Sequence, residues 1–239
     1  MFGFFLQWSA AWVGAKLGRR RHRDIADTSG DYGLVLGATL TLLGLIIGFS
    51  FSMSLGRYDQ RKNYEEAEAN AIGTEYVRAD LLPEADGSRV RELLKQYTDL
   101  RIRFYMTRGR DELQQIDADT VKVQNELWKT ASRPAIAQPS PVVALAVEGM
   151  NDVLNSQGYT QAAWWYRIPG AAWGLMFAIA IFSNAMLGYG AKRVDAKLFM
   201  ILPLVVATAF FLIADIDSPR RGVIVVHPKN LEALRAGLK

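Results

Sequence analysis

Apolar residues along this chain gather into blocks, and the charges fill the spaces between them. The clearest block, Tyr32 to Leu55, carries no charge and is long enough to cross a hydrocarbon layer of about 30 Å as a helix. Ile168 to Leu187 and Leu198 to Ala214 form two more such blocks. The short basic loop Ala191 to Lys197 between them makes the pair an antiparallel hairpin. Met1 to Leu17 is apolar but short, and Gln7 and Ser9 interrupt it. Its arginines follow the apolar stretch, so it does not read as a signal peptide. Phe5, Trp8 and Trp12 fall on one helical face, which suits a helix lying in a membrane interface. A short transmembrane helix is the alternative, since about 17 residues is the lower limit for spanning.

Between these blocks, Gly56 to about Arg167 mixes charges of both signs and reads as helical throughout. Arg57 to Leu82 is alanine-rich and continues the preceding helix, ending in the turn chemistry of Leu82-Pro83 and Asp86-Gly87. Val90, Leu93, Leu94, Tyr97, Leu100 and Phe104 have helical spacing and predict a second helix from about Ser88. A third runs from about Asp111 to Lys129. The three prolines within Ala131 to Pro141 predict a loop, and Val143, Val147, Met150 and Leu154 define a fourth helix over about Val142 to Leu154. Four such helices bury a common core as a bundle.

Trp164, Trp165 and Tyr166 beside Arg167 have the composition of an interfacial aromatic belt. Val223 to Val226 predicts a short strand or extended segment, and Asn230 to Leu238 a terminal helix capped by Asn230. The result is an all-α integral membrane protein with three or four membrane helices and an inserted extramembrane four-helix bundle. Its parts are an N-terminal helix and basic linker (1–30), a transmembrane helix (31–55), a helical extramembrane domain (56–166), a transmembrane hairpin (167–214) and an extramembrane tail (215–239).

Gly33, Gly37, Gly44 and Gly48 are spaced 4, 7 and 4, which places them within an arc of about 60° on one helix. Phe51 continues that line, with Ser52 beside it. Small residues on one face let helix backbones approach closely. The plainer reading is a packing seam against the chain's own helices. The sharper one is a helix lining the axis of an oligomer, with Gly44, Gly48 and Ser52 along it and Phe51 as an apolar constriction.

Composition changes this picture little. The net charge of +4 is modest; its densest part, Arg19 to Arg23, adjoins an apolar block and marks a membrane flank better than a nucleic-acid site. No cysteine is present, which excludes disulfides, zinc-thiolate sites and thiol catalysis. His22 and His227 are the two histidines, and neither has a metal-site pattern. Short-loop cations are nearly balanced between the two possible orientations, but either one puts bundle and tail on the same side.

No nucleophile elbow, phosphate-cradling loop, zinc spacing or dinucleotide fingerprint occurs, so the chain reads as a non-enzyme with no cofactor, metal or catalytic residues. Three polar positions remain as candidates. Asp215 and Asp217 stand where the last span leaves the membrane, where acidic groups are costly unless paired or wet. They either form a cation-attracting ring in an oligomer or serve the tail turn and nearby arginines. Asn184, inside the third block, either bonds a neighbouring helix or lines a water path.

Two stretches carry a resemblance. GFSFSMSLGRYDQRKNYEEAEANAIGTEYVRADLLP, Gly48 to Pro83, and ADIDSPRRGVIVV, Ala214 to Val226, resemble the signatures of the bacterial bestrophin-like membrane family, a domain of unknown function. The likeness covers most of the chain from about Tyr32 onward. It implies the same order of membrane helix, helical domain, membrane hairpin and tail. It also implies kinship to bestrophins, which are oligomeric anion channels with apolar constrictions. This sequence is shorter and shows no evident acidic calcium clasp.

The expectation is therefore a homo-oligomeric ion channel or channel-like protein, with anions as the family's ion. Its setting would be a bacterial inner membrane, which it crosses several times, with the lipid bilayer, further copies and inorganic ions as partners and no nucleic acid. The alternative is a non-conducting, membrane-anchored interaction or sensor protein whose helical domain binds a partner.

Overall fold

The computed structural model describes residues 2–21, 29–191 and 198–238. His22 and Arg23 of the arginine cluster, and Lys192, Arg193 and Lys197 of the short basic loop, lie outside the described residues. The described chain is all helix and turn. It runs α1 (Phe2–Arg21), α2 (Ser29–Arg78), a single 3₁₀ turn (Ala79–Leu81), α3 (Glu84–Met106), α4 (Arg110–Ala137), α5 (Pro141–Trp165), α6 (Gly170–Tyr189), α7 (Leu198–Asp217) and α8 (Lys229–Gly237). Segments within Asp31–Leu81, Pro141–Tyr189 and Phe199–Asp217 are long and apolar enough to cross a membrane.

Two compact units result, Met1–Gly56 with Arg167–Asp217 and Arg57–Tyr166 with Ser218–Lys239. In the first, Leu43, Met176, Ala180, Val206 and Phe210 form a buried core, and the Phe177 and Phe210 rings meet edge to face at 5.0 Å. α1 packs along α6 through small residues. A Cβ added at Gly14 would collide with the Ala185 carbonyl oxygen, one at Gly188 with that of Ala11, and one at Gly18 with that of Tyr189. Such contact needs backbone against backbone, which small residues permit. Gly3 neighbours Phe177 and Gly18 neighbours Tyr189, so α1 and α6 run in the same direction. α1 is thus a packed partner of α6, with Phe5 and Trp12 left on its outer side.

The second unit is the bundle. Val90, Leu93, Leu94, Tyr97 and Phe104 of α3 pack with Ile116 and Leu127 of α4, Met150 and Val153 of α5, and Leu231 of α8. Several sequence expectations change here. Asp86 and Gly87 lie in the first turns of α3 rather than in a turn, and Gly87 is there because a Cβ would strike the Ala79 carbonyl oxygen. α4 does not stop at Lys129 but runs through Pro134 to Ala137. A proline inside a helix costs about 3 kcal/mol; here Ala131 and Pro134 are both buried, and that packing offsets the loss. α5 begins one residue early, at Pro141, where Ser140 Oγ accepts the Val143 N–H. It continues to Trp165 because Ser156, Thr160, Ala163 and Trp164 carry its buried side onward.

Trp164 is not part of an aromatic belt. It is buried, with the Phe104 and Tyr105 rings at 5.2 and 5.3 Å, while Trp165 and Tyr166 remain exposed. Val223 to Val226 forms no strand: the chain bends at Val223 and Ile224, and Val226 joins the bundle core. Nor does Asn230 cap the terminal helix, because the carboxylate of Glu65 takes that place.

Candidate functional site

One helix supplies both units with their buried side. Along α2, Leu43, Ser50, Ser54, Arg61, Glu65, Glu68, Ile72 and Glu75 are buried, at spacings of three, four or seven residues, as on one face of a helix. Leu43 sits in the apolar core of the first unit, and the Ser54 hydroxyl donates to the Ser50 carbonyl at 3.0 Å. Most of the later ones are charged, so α2 continues past residue 56 with one charged side buried, while Asp59, Lys62 and Glu66 keep its outer side exposed and charged.

Three of these charges have defined partners. Glu68 pairs with Arg101, both without exposed surface, and accepts the Thr160 hydroxyl at 3.1 Å. Burial works against the Arg101 charge, but the Glu68 carboxylate, together with Tyr97 and Tyr105, raises the Arg101 pKa on balance. Glu65 Oε1 accepts the Asn230 and Leu231 N–H groups, each at 2.9 Å, and Oε2 accepts the Asn230 side chain at 2.6 Å. A carboxylate at a helix N-terminus satisfies unpaired N–H groups and meets the positive end of the helix dipole. The Arg61 guanidinium donates to the Ala163 carbonyl at 3.3 Å. In the tail, Arg220 donates to the carbonyls of Phe104 and Thr107 at 2.6 and 2.9 Å. Its plane lies over the Phe104 and Trp164 rings at 4.5 and 4.2 Å.

The glycine line lies on another side of α2. Gly33, Gly37, Gly44 and Gly48 are exposed, and a Cβ at any of them would meet nothing within 4 Å. Among the described residues, these four glycines therefore form no close-packed seam against the chain's own helices. Gly14 and Gly18 of α1 and Gly188 of α6, by contrast, are close-packed. Phe51 is half-buried and Ser52 exposed. Leu55, one turn on, is 43% exposed and falls on the same arc.

The polar candidates have separate environments. Asn184 is buried and donates to Gln7 of α1 at 3.3 Å and to the Ala180 carbonyl at 2.8 Å. Asp217 is buried at the end of α7, where its two oxygens accept the Ile168 N–H at 3.2 and 3.1 Å, tying the end of α7 to the start of α6. Asp215 is half-buried and has a partner of its own. Sequence reasoning missed Arg61, Glu65, Glu68 and Glu75 as buried groups. The signal was present, since they continue the register of Leu43, Ser50 and Ser54, but their charge hides it from a hydrophobicity pattern.

A Bestrophin-like domain model matches residues 3–231. The chain belongs to the Bestrophin-like family. Among solved structures, a bacterial Bestrophin homolog from Klebsiella pneumoniae aligns with a TM-score of 0.71 at 12% identity, over 99% of this chain and 96% of that one. A membrane-protein variant aligns with a TM-score of 0.72 at 12% identity over the same shares. A single-residue variant of the Klebsiella pneumoniae homolog gives 0.71 at 13% identity, again with 99% and 96% covered. No curated protein matches the chain in sequence. At these identities the likeness carries the Bestrophin-like fold and assigns no residue a role.

Proposed function

We propose that this chain is one subunit of a homo-oligomeric ion channel that crosses a bacterial inner membrane several times, with the glycine face of α2 turned toward the assembly axis. The supporting observation is the exposed run Gly33, Gly37, Gly44 and Gly48, where an added Cβ would meet none of the described residues within 4 Å. A glycine face offers lipid little apolar area and leaves peptide groups near the surface; it suits another helix or water better. So few membrane helices cannot enclose a water-filled path, so the path requires several copies. Phe51 then narrows it and Ser52 and Gly48 line it. Anions are the ions to test first, because the family resemblance implies them. Asp215, Asp217 and Asn184 serve the fold of the subunit in this reading, and no residue is given a catalytic role.

The alternative is a non-conducting anchor that docks a partner through the charged outer face of residues 57–82. There Asp59, Lys62 and Glu66 remain exposed while Arg61, Glu65, Glu68 and Glu75 turn into the bundle. The deciding experiment is native mass spectrometry from mild detergent, followed by single-channel recording. A closed ring whose Phe51→Ala variant has a higher conductance or open probability supports the channel. A stable monomer ends it, and an unchanged variant removes Phe51 from the constriction.

A further inference from the structure

Glu75 differs from the other acids on the buried side of α2. Glu65 and Glu68 each accept several hydrogen bonds, whereas Glu75 has no exposed surface and neither of its carboxyl oxygens has a hydrogen-bond partner. It is pressed against α5. A Cβ at Gly149 would collide with Glu75 Oε2 and would lie 2.7 Å from Arg78 Nη1, so glycine leaves both groups the space they occupy. Arg78, three residues along the same helix, is near enough to pair with Glu75. Its Nη1 donates instead to the Leu145 carbonyl of α5 at 3.3 Å.

A buried carboxyl without partners is cheaper neutral than charged. Burial pushes the Glu75 pKa up to about 8. Arg78, from α2, opposes the rise, and Asp152, from α5, adds to it; these are the charges that act on the group. Near neutral pH the side chain is therefore mostly protonated, and Arg78 is left to the carbonyl.

We propose that Glu75 and Arg78 form a proton-operated latch between α2 and α5. With Glu75 neutral, Arg78 holds the Leu145 carbonyl and the seam at Gly149 is closed. When Glu75 gives its proton to solvent, the new carboxylate draws Arg78 away, the carbonyl loses that donor, and α5 loosens around Gly149. The latch lies wholly within the bundle and stands whether or not the assembly conducts.

Hydrogen exchange on the full chain in detergent reads the latch directly. The segment around Leu145 to Asp152 is followed at a pH well below 8 and at one well above it, with intrinsic base catalysis corrected for. Wild type should lose about tenfold or more in protection at the higher pH. Glu75→Gln and Arg78→Ala should show no such pH-dependent change. Parallel behaviour of wild type and Glu75→Gln would overturn the latch. As a check independent of either variant's folding, infrared titration of the wild type, with glutamate carboxyls isotopically labelled, should find a buried carboxyl that loses its proton near pH 8. If every glutamate titrates in the ordinary carboxylate range, the proposal is wrong.

Discussion

Glu68 and Arg101 form an ion pair in which neither side chain keeps any exposed surface. Removing one partner from such a pair strands the other charge, at about 3–5 kcal/mol, whereas replacing both with apolar groups is far milder. Glu68→Gln and Arg101→Leu should each lower the thermal midpoint of the purified chain markedly. The double change Glu68→Leu with Arg101→Met should recover much of that loss. Additive losses in the double variant would mean that the pair is not coupled.

Glu65 holds the start of α8 through two backbone amides and the Asn230 side chain. Arg235 adds a half-exposed pair with Asp99 at 2.7 Å, worth at most about 1 kcal/mol. Glu65→Ala should therefore free the tail, at a cost near the about 2 kcal/mol upper end for a lost helix cap. Limited proteolysis should then cut within residues 223–238 far sooner than in wild type, while Arg235→Ala should change the cutting rate little. Equal effects from the two changes would contradict this ranking.

Two glycine positions should respond in opposite ways. At Gly188 any side chain meets the Ala11 backbone, so Gly188→Leu should disrupt the protomer itself and sharply reduce the yield of folded protein. At Gly48 there is open space, so Gly48→Leu should leave the protomer folded and instead change the mass of the assembly. An assembly unaffected by Gly48→Leu would detach the glycine face from subunit contact.

Glu75 also leaves a mark on global stability. Its pKa is raised on folding from 4.5 to about 8, so between those values the folded chain holds a proton that the unfolded chain has released. Stability must then fall as pH rises through this window and level off above it. Thermal melts across the window should show this slope in wild type and a flatter profile in Glu75→Gln. Identical slopes would assign the pH dependence to other groups.

The membrane segments were legible because a charge-free block such as Tyr32 to Leu55 has few other physical outcomes. The bundle helices were legible where leucines and valines mark the core, as along α3. Sequence reasoning failed where burial is polar or breaks a local rule. Pro134 persists inside α4 because its packing offsets the lost hydrogen bond, and Ser156 and Thr160 carry α5 past the end of its apolar pattern. The glycines of α2 were visible as a line, but whether that line was already covered depended on contacts far away in the sequence. Composition likewise could not tell the packed glycines of α1 and α6 from the exposed ones of α2.

The single buried side of α2 also limits how this chain can evolve. Glu65, Glu68 and Ile72 share that side within the bundle. Inserting or deleting one residue between Glu65 and Glu68 would turn one against the other by about 100°. Glu65 could then keep α8, or Glu68 could keep Arg101, but not both. Such a change in length is tolerated only in sevens or when offset nearby. The connections between helices are freer to change. This helix acts as a ruler for the bundle, and its length is far less free to change than its sequence.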